Sequence, residues 1–396
     1  MTRHTLALLW LCWALFCGDA SKSGAVECDD MGWRFGGDAA GARGWSIEAD
    51  TLLWWTRGTR LPALVTTSDA GTPRQQAGVL GLPSTSVLFG DETIGANVRS
   101  GVRLRITGNL DRDGLTSAHL RAFYLGSDGS GRHRHSGANT PILARPFFDS
   151  QAGAESSELV EFPNVVEGSV AVSGFSELFG GDLGLAREVY RTESNRIAVF
   201  SGYRFLRFRE GLSIREDLES IENPSVIPLG TEFVVRDVFG TDARFHGATV
   251  GMRFDRSLHS WELSASASVS LGGTQRRLQA AGRSDVTTPG DATNTTPGGL
   301  LVLPSNMGTY RSTRFAAVPE WQVGVRRWLS DFASVGVGYD LILLPGVWRI
   351  GDQMDRTVNS SQLGGGALNG EARPAPRLAS QTMWMQGLSF NLGLYW

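Results

Sequence analysis

The last fifteen residues alternate without a break, and this limits what the rest of the chain can become. From Thr382 to Trp396 the even positions run Thr, Trp, Gln, Leu, Phe, Leu, Leu, Trp, while the odd ones are Met383, Met385, Gly387, Ser389, Asn391, Gly393 and Tyr395. Successive side chains of a strand point to opposite faces, so the pattern describes a strand with one apolar face and one small or polar face. In water such an edge would template aggregation. Closing the sheet into a barrel in lipid removes the edge, because every backbone group then pairs within the ring. Phe390, Leu392, Leu394 and Trp396 form an aromatic-ended terminal pattern of the kind read by barrel assembly machinery, which is therefore an expected partner.

The same alternation recurs upstream. Trp45, Ile47, Ala49, Thr51, Leu53 and Trp55 share one face, with Ser46, Glu48 and Asp50 opposite. Val102, Leu104 and Ile106 alternate with Arg103, Arg105 and Thr107, and Trp261 to Leu271 alternates with Glu262 and four serines. Apolar-out, polar-in strands are the membrane-barrel pattern. The spacing predicts strands near 45–55, 98–108, 115–126, 167–178, 195–208, 243–255, 258–272, 313–328, 332–344 and 382–396. Segments 209–220 and 229–240 are available as a further pair, which would make twelve. Connections alternate between about 40 residues and tight links such as 329–331, with 179–194 the longest of the tight ones. Long external loops and short periplasmic turns follow from that rhythm. The expected fold is all-β, an antiparallel up-and-down transmembrane barrel over 44–396. Trp45, Trp261, Trp328 and Trp396 suit one interfacial girdle, and Trp55, Tyr339 and Trp384 the other.

Composition excludes other classes. The 50 glycines, with little helical periodicity, suit a turn-rich all-β chain. A net charge of -3 gives no basic footprint, so nucleic acid is not an expected partner. Lys22 is the sole lysine, which removes phosphate-loop and Schiff-base lysines from the body of the chain. No common metal or serine-hydrolase signature is present, so neither metal, cofactor nor catalysis is expected. Arg3 and His4 precede an apolar run from Leu6 to Phe16, and Gly18-Asp19-Ala20 supplies small residues for cleavage. This predicts a signal peptide over 1–20 and a short periplasmic segment over 21–43, hence export to the outer membrane and outer-membrane lipid as surroundings.

Several blocks resemble one family, the outer-membrane beta-barrel porins of type seven. The likeness lies in Gly202 to Ile214 (GYRFLRFREGLSI), Gly298 to Gly308 (GGLLVLPSNMG), Phe315 to Glu320 (FAAVPE), Gly338-Tyr339-Asp340 and Arg349 to Asp355 (RIGDQMD). Ile350 departs from the family pattern, which has Pro there. The resemblance implies an outer-membrane barrel over about 44–396 and no particular substrate. Fold alone does not define function.

Charges on the lipid face would cost roughly 2–4 kcal/mol each at the midplane. The lumen is therefore expected to receive Glu48, Asp50, Arg103, Arg105, His119, Arg121, Arg204, Arg253, Glu262, Glu320, Arg326 and Asp340. These could form an arginine-lined constriction or an Arg–carboxylate network that fills the lumen. Ser264, Ser266, Ser268, Ser270, Gly336 and Gly338 would leave room for water. Residues 301–308 are too apolar for a free loop and should fold onto the rim or into the lumen. Arg349 lies close in sequence to Asp352 and Asp355 and could pair with them. Arg132 to His135 reads as a solvated cationic loop. Three functions follow: a porin-like passive channel for small solutes, a structural or surface-interaction barrel with a plugged lumen, and, third, an enzyme using His119 with Ser264.

Overall fold

A computed structural model describes residues 44–127 and 142–396, with the backbone of 133–136. The expectations for 1–20, for 21–43, and for the side chains of Arg132 to His135 lie outside the described residues. Ten long strands carry the fold: β1 Trp45–Thr56, β2 Arg99–Asn109, β3 Thr116–Leu125, β4 Val166–Arg191, β5 Asn195–Ser220, β6 Glu232–Leu258, β7 Trp261–Thr287, β8 Gly308–Ser330, β9 Ala333–Val347 and β10 Gln381–Tyr395. Each pairs antiparallel with the next, and β10 pairs β1 from Ser46↔Tyr395 to Thr56↔Met385, which closes the ring. Short pieces at His133–Ser136 and Asn294–Pro297 extend β4 and β7 at one end.

The predicted count of ten holds, and the option of twelve is corrected. Residues 209–220 belong to β5 and residues 232–240 to β6, whose pairing runs in one register from Asn195↔Arg256 to Glu219↔Glu232. The connection between them is therefore 221–231, far shorter than predicted. The supposed link 179–194 is also corrected, since β4 continues through Gly180-Gly181 to Arg191. Those glycines accommodate neighbours: a Cβ on Gly180 would lie 2.2 Å from the ring of Phe123.

Strand parity sets the barrel in lipid. On β1 the outward residues run from Trp45 to Trp55, ten intervals of ~3.3 Å, which at a tilt near 40° gives a belt ~25 Å high. Trp45, Trp261 and Trp396 lie exposed at the turn end, and Trp55 meets Tyr339 edge-on towards the loop end. Trp328 is corrected: it turns inward, its ring 4.7 Å from that of Tyr395.

Strands β4 to β7 are 26 or 27 residues long. About 10 residues suffice to span an outer membrane, so more than half of each rises beyond the lipid. There they wall a head in which hairpins from 65–89 and 143–161 enclose an apolar core that includes Val65, Phe147, Ile214, Phe239 and Leu300 to Leu303.

Candidate functional site

All twelve predicted charged residues face the interior at the turn end, joined there by Asp182, Arg196 and Asp255. Besides His119, these are seven carboxylates and seven arginines, and Glu188, paired with Arg191, adds a further carboxylate at the cavity edge. Arg103 binds Asp50 and, at 2.8 Å, Asp340. Arg105 and Arg326 each reach Glu48 at 2.8 Å, and the Tyr395 hydroxyl donates to the same carboxylate at 3.1 Å. Arg121 grips Glu320 through both terminal nitrogens at 2.8 and 2.9 Å and Asp182 through Nε, while Arg204 closes on Glu320 from the far side. Arg196 and Arg326 share Glu262, and Arg253 pairs with Asp255. His119 turns towards Asp182 at 3.6 Å and the ring of Phe200.

These pairs occur because the strands are staggered in register. Arg103 sits opposite Asp50 and Arg105 opposite Glu48 on adjacent strands, so each cation meets a carboxylate without any loop. A cavity of about 320 Å³ runs through the layer, lined also by Ser264, Ser266, Ser268, Gly324, Gly336 and Gly338. It reaches Asn109 and Gly114 of the β2–β3 turn, so it opens at the turn end. Ser270 contributes no cavity wall, being buried against Thr249 at 2.6 Å.

Above this layer the lumen becomes mainly apolar, which strict polar-in alternation does not predict. Leu52, Trp54, Phe123, Leu125, Leu178, Leu206, Phe208, Phe245, Val318, Ile342, Leu344, Met383 and Met385 form one buried cluster, supplied by eight of the ten strands. All occupy inward positions. Trp54 packs on Phe123 with ring centroids 5.5 Å apart. A signal for it exists in the sequence: after Asp50 the strand reads Thr-Leu-Leu-Trp-Trp, apolar on both faces, which marks a strand buried on both sides. The predicted polar-in pattern is therefore interrupted above the turn-end half and resumes at Arg99, Ser176 and Glu210.

The loop end is sealed a second time by the head. Arg349, fully buried, does not pair with Asp352 or Asp355 but donates to both oxygens of Glu210 at 2.9 and 2.8 Å, and to the Arg57 carbonyl. The Ile350 N–H also donates to Glu210, at 3.2 Å, a bond that proline at this position could not make. Asp355 pairs instead with Arg373 at 3.0 Å. Leu300 to Leu303 are buried, and the N–H groups of Leu300, Leu301 and Val302 converge on the Asp237 carboxylate. Asp237 also accepts from Arg145 at 2.8 Å; Arg145 binds Glu216 as well and faces Glu158 across the 143–161 hairpin. Three carboxylates thus crowd one guanidinium. Burial and the neighbouring Glu216 push Glu158 up to about 8, and burial raises Glu216 too.

A closed antiparallel ring with an apolar outer belt, short turns at one end and a loop-built head at the other defines a β-barrel of the outer membrane. Residues 45–396 match the model of the family described as "Putative beta barrel porin-7", and the chain belongs to that family. Among curated proteins none matches. Among solved structures, the chain is similar to the outer membrane protease OmpT from Escherichia coli, at 8% identity and a TM-score of 0.43, covering 90% of this chain and 97% of that one. It is also similar to the Pseudomonas putida toluene transporter TodX, at 7% identity and a TM-score of 0.26, covering 89% and 90%. A third is a Pseudomonas aeruginosa FadL homologue, at 9% identity and a TM-score of 0.24, covering 90% of each chain.

Proposed function

We propose that this chain is a closed outer-membrane barrel that carries a structured head on the cell surface, a structural or surface-interaction protein rather than an open pore. The observation behind this reading is the apolar layer from Trp54 to Met385 across the lumen. This layer of close-packed, mainly apolar side chains, interrupted by Arg99 with Ser176 and by Thr274, offers a permeating ion little replacement for its hydration. The charged layer beneath is largely paired, Arg with carboxylate, which supports a filled rather than a selective lumen. The head rises on four strands that extend well past the lipid, which supports a role outside the membrane.

A second reading, a passive small-solute channel with a gate, draws support from the 320 Å³ cavity that enters from the turn end. It requires the apolar layer to part. Catalysis by His119 and Ser264 gains no support, since His119 is directed at Asp182. Planar-bilayer recording of the purified protein separates the first two readings. The proposed barrel is silent, and Trp54→Ala with Phe123→Ala raises conductance by thinning the layer. Steady conductance from the parent protein, at an amplitude unchanged by those two substitutions, overturns the closed reading.

A further inference from the structure

The outer wall of β5 to β8 carries charges that neither the lumen nor the head uses. On these strands the outward positions are apolar through the belt and end in Tyr203, Phe205 and His246 near the loop side. Tyr203 and His246 are bonded at 2.5 Å. The next outward positions are Arg207 and Arg244 on β5 and β6, with Gln275 and Thr313 beside them on β7 and β8. Register aligns Arg207 with Arg244 in one row, and Arg209, Asp242, Arg277 and Arg311 in the row above. The opposite wall differs: its last outward residues before the loops are Trp55, Leu341, Trp384 and Gln386, with Arg57 just past the strand.

Five arginines here meet two carboxylates. Asp242 holds Arg207 and Arg244, both at 2.8 Å, and Glu177 lies 3.5 Å from Arg209. Arg277 contacts only Gln279, at 3.4 Å, and Arg311 has no acidic partner among the described residues. The wall therefore holds a surplus of three positive charges directly above a lipid-facing surface. Outward arginines are costly at the midplane of a bilayer and nearly free at its interface, so both rows belong at headgroup level. Guanidinium groups pair with phosphate through two parallel hydrogen bonds. Neighbouring strands are ~4.8 Å apart, which puts the Arg207–Arg244 pair roughly 10 Å from the Arg277–Arg311 pair.

We propose that this wall is a binding surface for an outer-leaflet lipid whose headgroup carries two phosphates, one for each arginine pair, with its acyl chains lying on the apolar belt below. The site is independent of whether the lumen conducts.

The test is retention of lipid by the intact protein. Protein is refolded in phosphatidylcholine vesicles containing bis-phosphorylated lipid A, mono-phosphorylated lipid A or neither, extracted in mild detergent, and its bound lipid counted by native mass spectrometry. Bis-phosphorylated lipid A should be retained in preference to the mono-phosphorylated form and to phosphatidylcholine. Each arginine removed near an anionic surface should lower retention roughly fivefold, so Arg277→Gln with Arg311→Gln loses about twenty-five-fold. Arg215→Gln, higher on the same wall, should change little. Heat-modifiable migration on gels shows that each variant still folds. Equal retention of phosphatidylcholine, or full retention by the folded double variant, overturns the proposal. So does release of the lipid by millimolar inorganic phosphate alone, which would make this a soluble-anion site.

Discussion

Replacing Arg103 separates a filled lumen from an ion pathway. Arg103 is buried and bridges Asp50 on β1 and Asp340 on β9, and Asp50 is further fixed by Asn391 at 2.7 Å. Arg103→Gln removes the shared cation and leaves two carboxylates facing each other. At ~5 Å and an effective dielectric near 20, two like charges repel by about 3 kcal/mol. Breaking a buried ion pair from one side costs about 3–5 kcal/mol by a separate route, so both point to a loss of this size. With a urea slope of about 3 kcal/mol per molar, the unfolding midpoint in lipid vesicles should fall by roughly 1–1.5 M, read by tryptophan fluorescence. Adding Asp340→Asn should restore part of the loss, because one of the two stranded charges is then gone. Arg103→Glu with Arg105→Glu should destabilise further and give no conductance. If that double variant assembles at the parent midpoint and conducts with reversed ion selectivity, the arginines line a water-filled path and the reasoning fails.

Three other outcomes follow from the structure. Deleting Tyr395 and Trp396 removes the two backbone bonds between Trp396 and Trp45 and the Tyr395 bond to Glu48, so heat-modifiable barrel in the outer membrane should be largely lost; wild-type levels would contradict the closure argument. On intact cells, Ala70→Cys and Asp291→Cys at the loop end should react with an impermeant thiol reagent, while Asn109→Cys and Asp331→Cys at the turns should not; the reverse labelling would invert the orientation. The head should weaken as pH rises. Glu158 titrates near 8 when folded, above its ordinary 4.5, so its contribution is complete below about 4.5 and is lost as pH climbs through 8. Hydrogen exchange of the 143–161 hairpin, corrected for intrinsic rate, should lose protection across that range in the parent and stay level in Glu158→Gln; a parallel loss in both would remove Glu158 as the cause.

Alternation along the chain is enough for the barrel, for about ten strands and for the lipid-facing side of most of them, with Trp328 the exception. Alternation is a local property: Leu104 must point away from Arg103 and Arg105 whatever the rest of the chain does. It also singled out twelve charged positions for the lumen side. It failed where the pattern stopped being two-sided. Residues 179–194 read as a link, although the strand continues through Gly180, which is small to admit Phe123, a residue 57 positions away on another strand. Segments 209–220 and 229–240 are available as a further pair because nothing local says how far a strand runs past the membrane. Only the tertiary structure decided which charges meet. Arg103 with Asp340, and Arg349 with Glu210, are separated by 237 and 139 residues, and their pairing depends on strand stagger around a closed ring. The same stagger stacks Leu52, Trp54, Phe245 and Met385 at one height, so inward positions on separate strands become a single apolar layer. Whether the lumen is open or filled is a property of that level, and no single strand contains it.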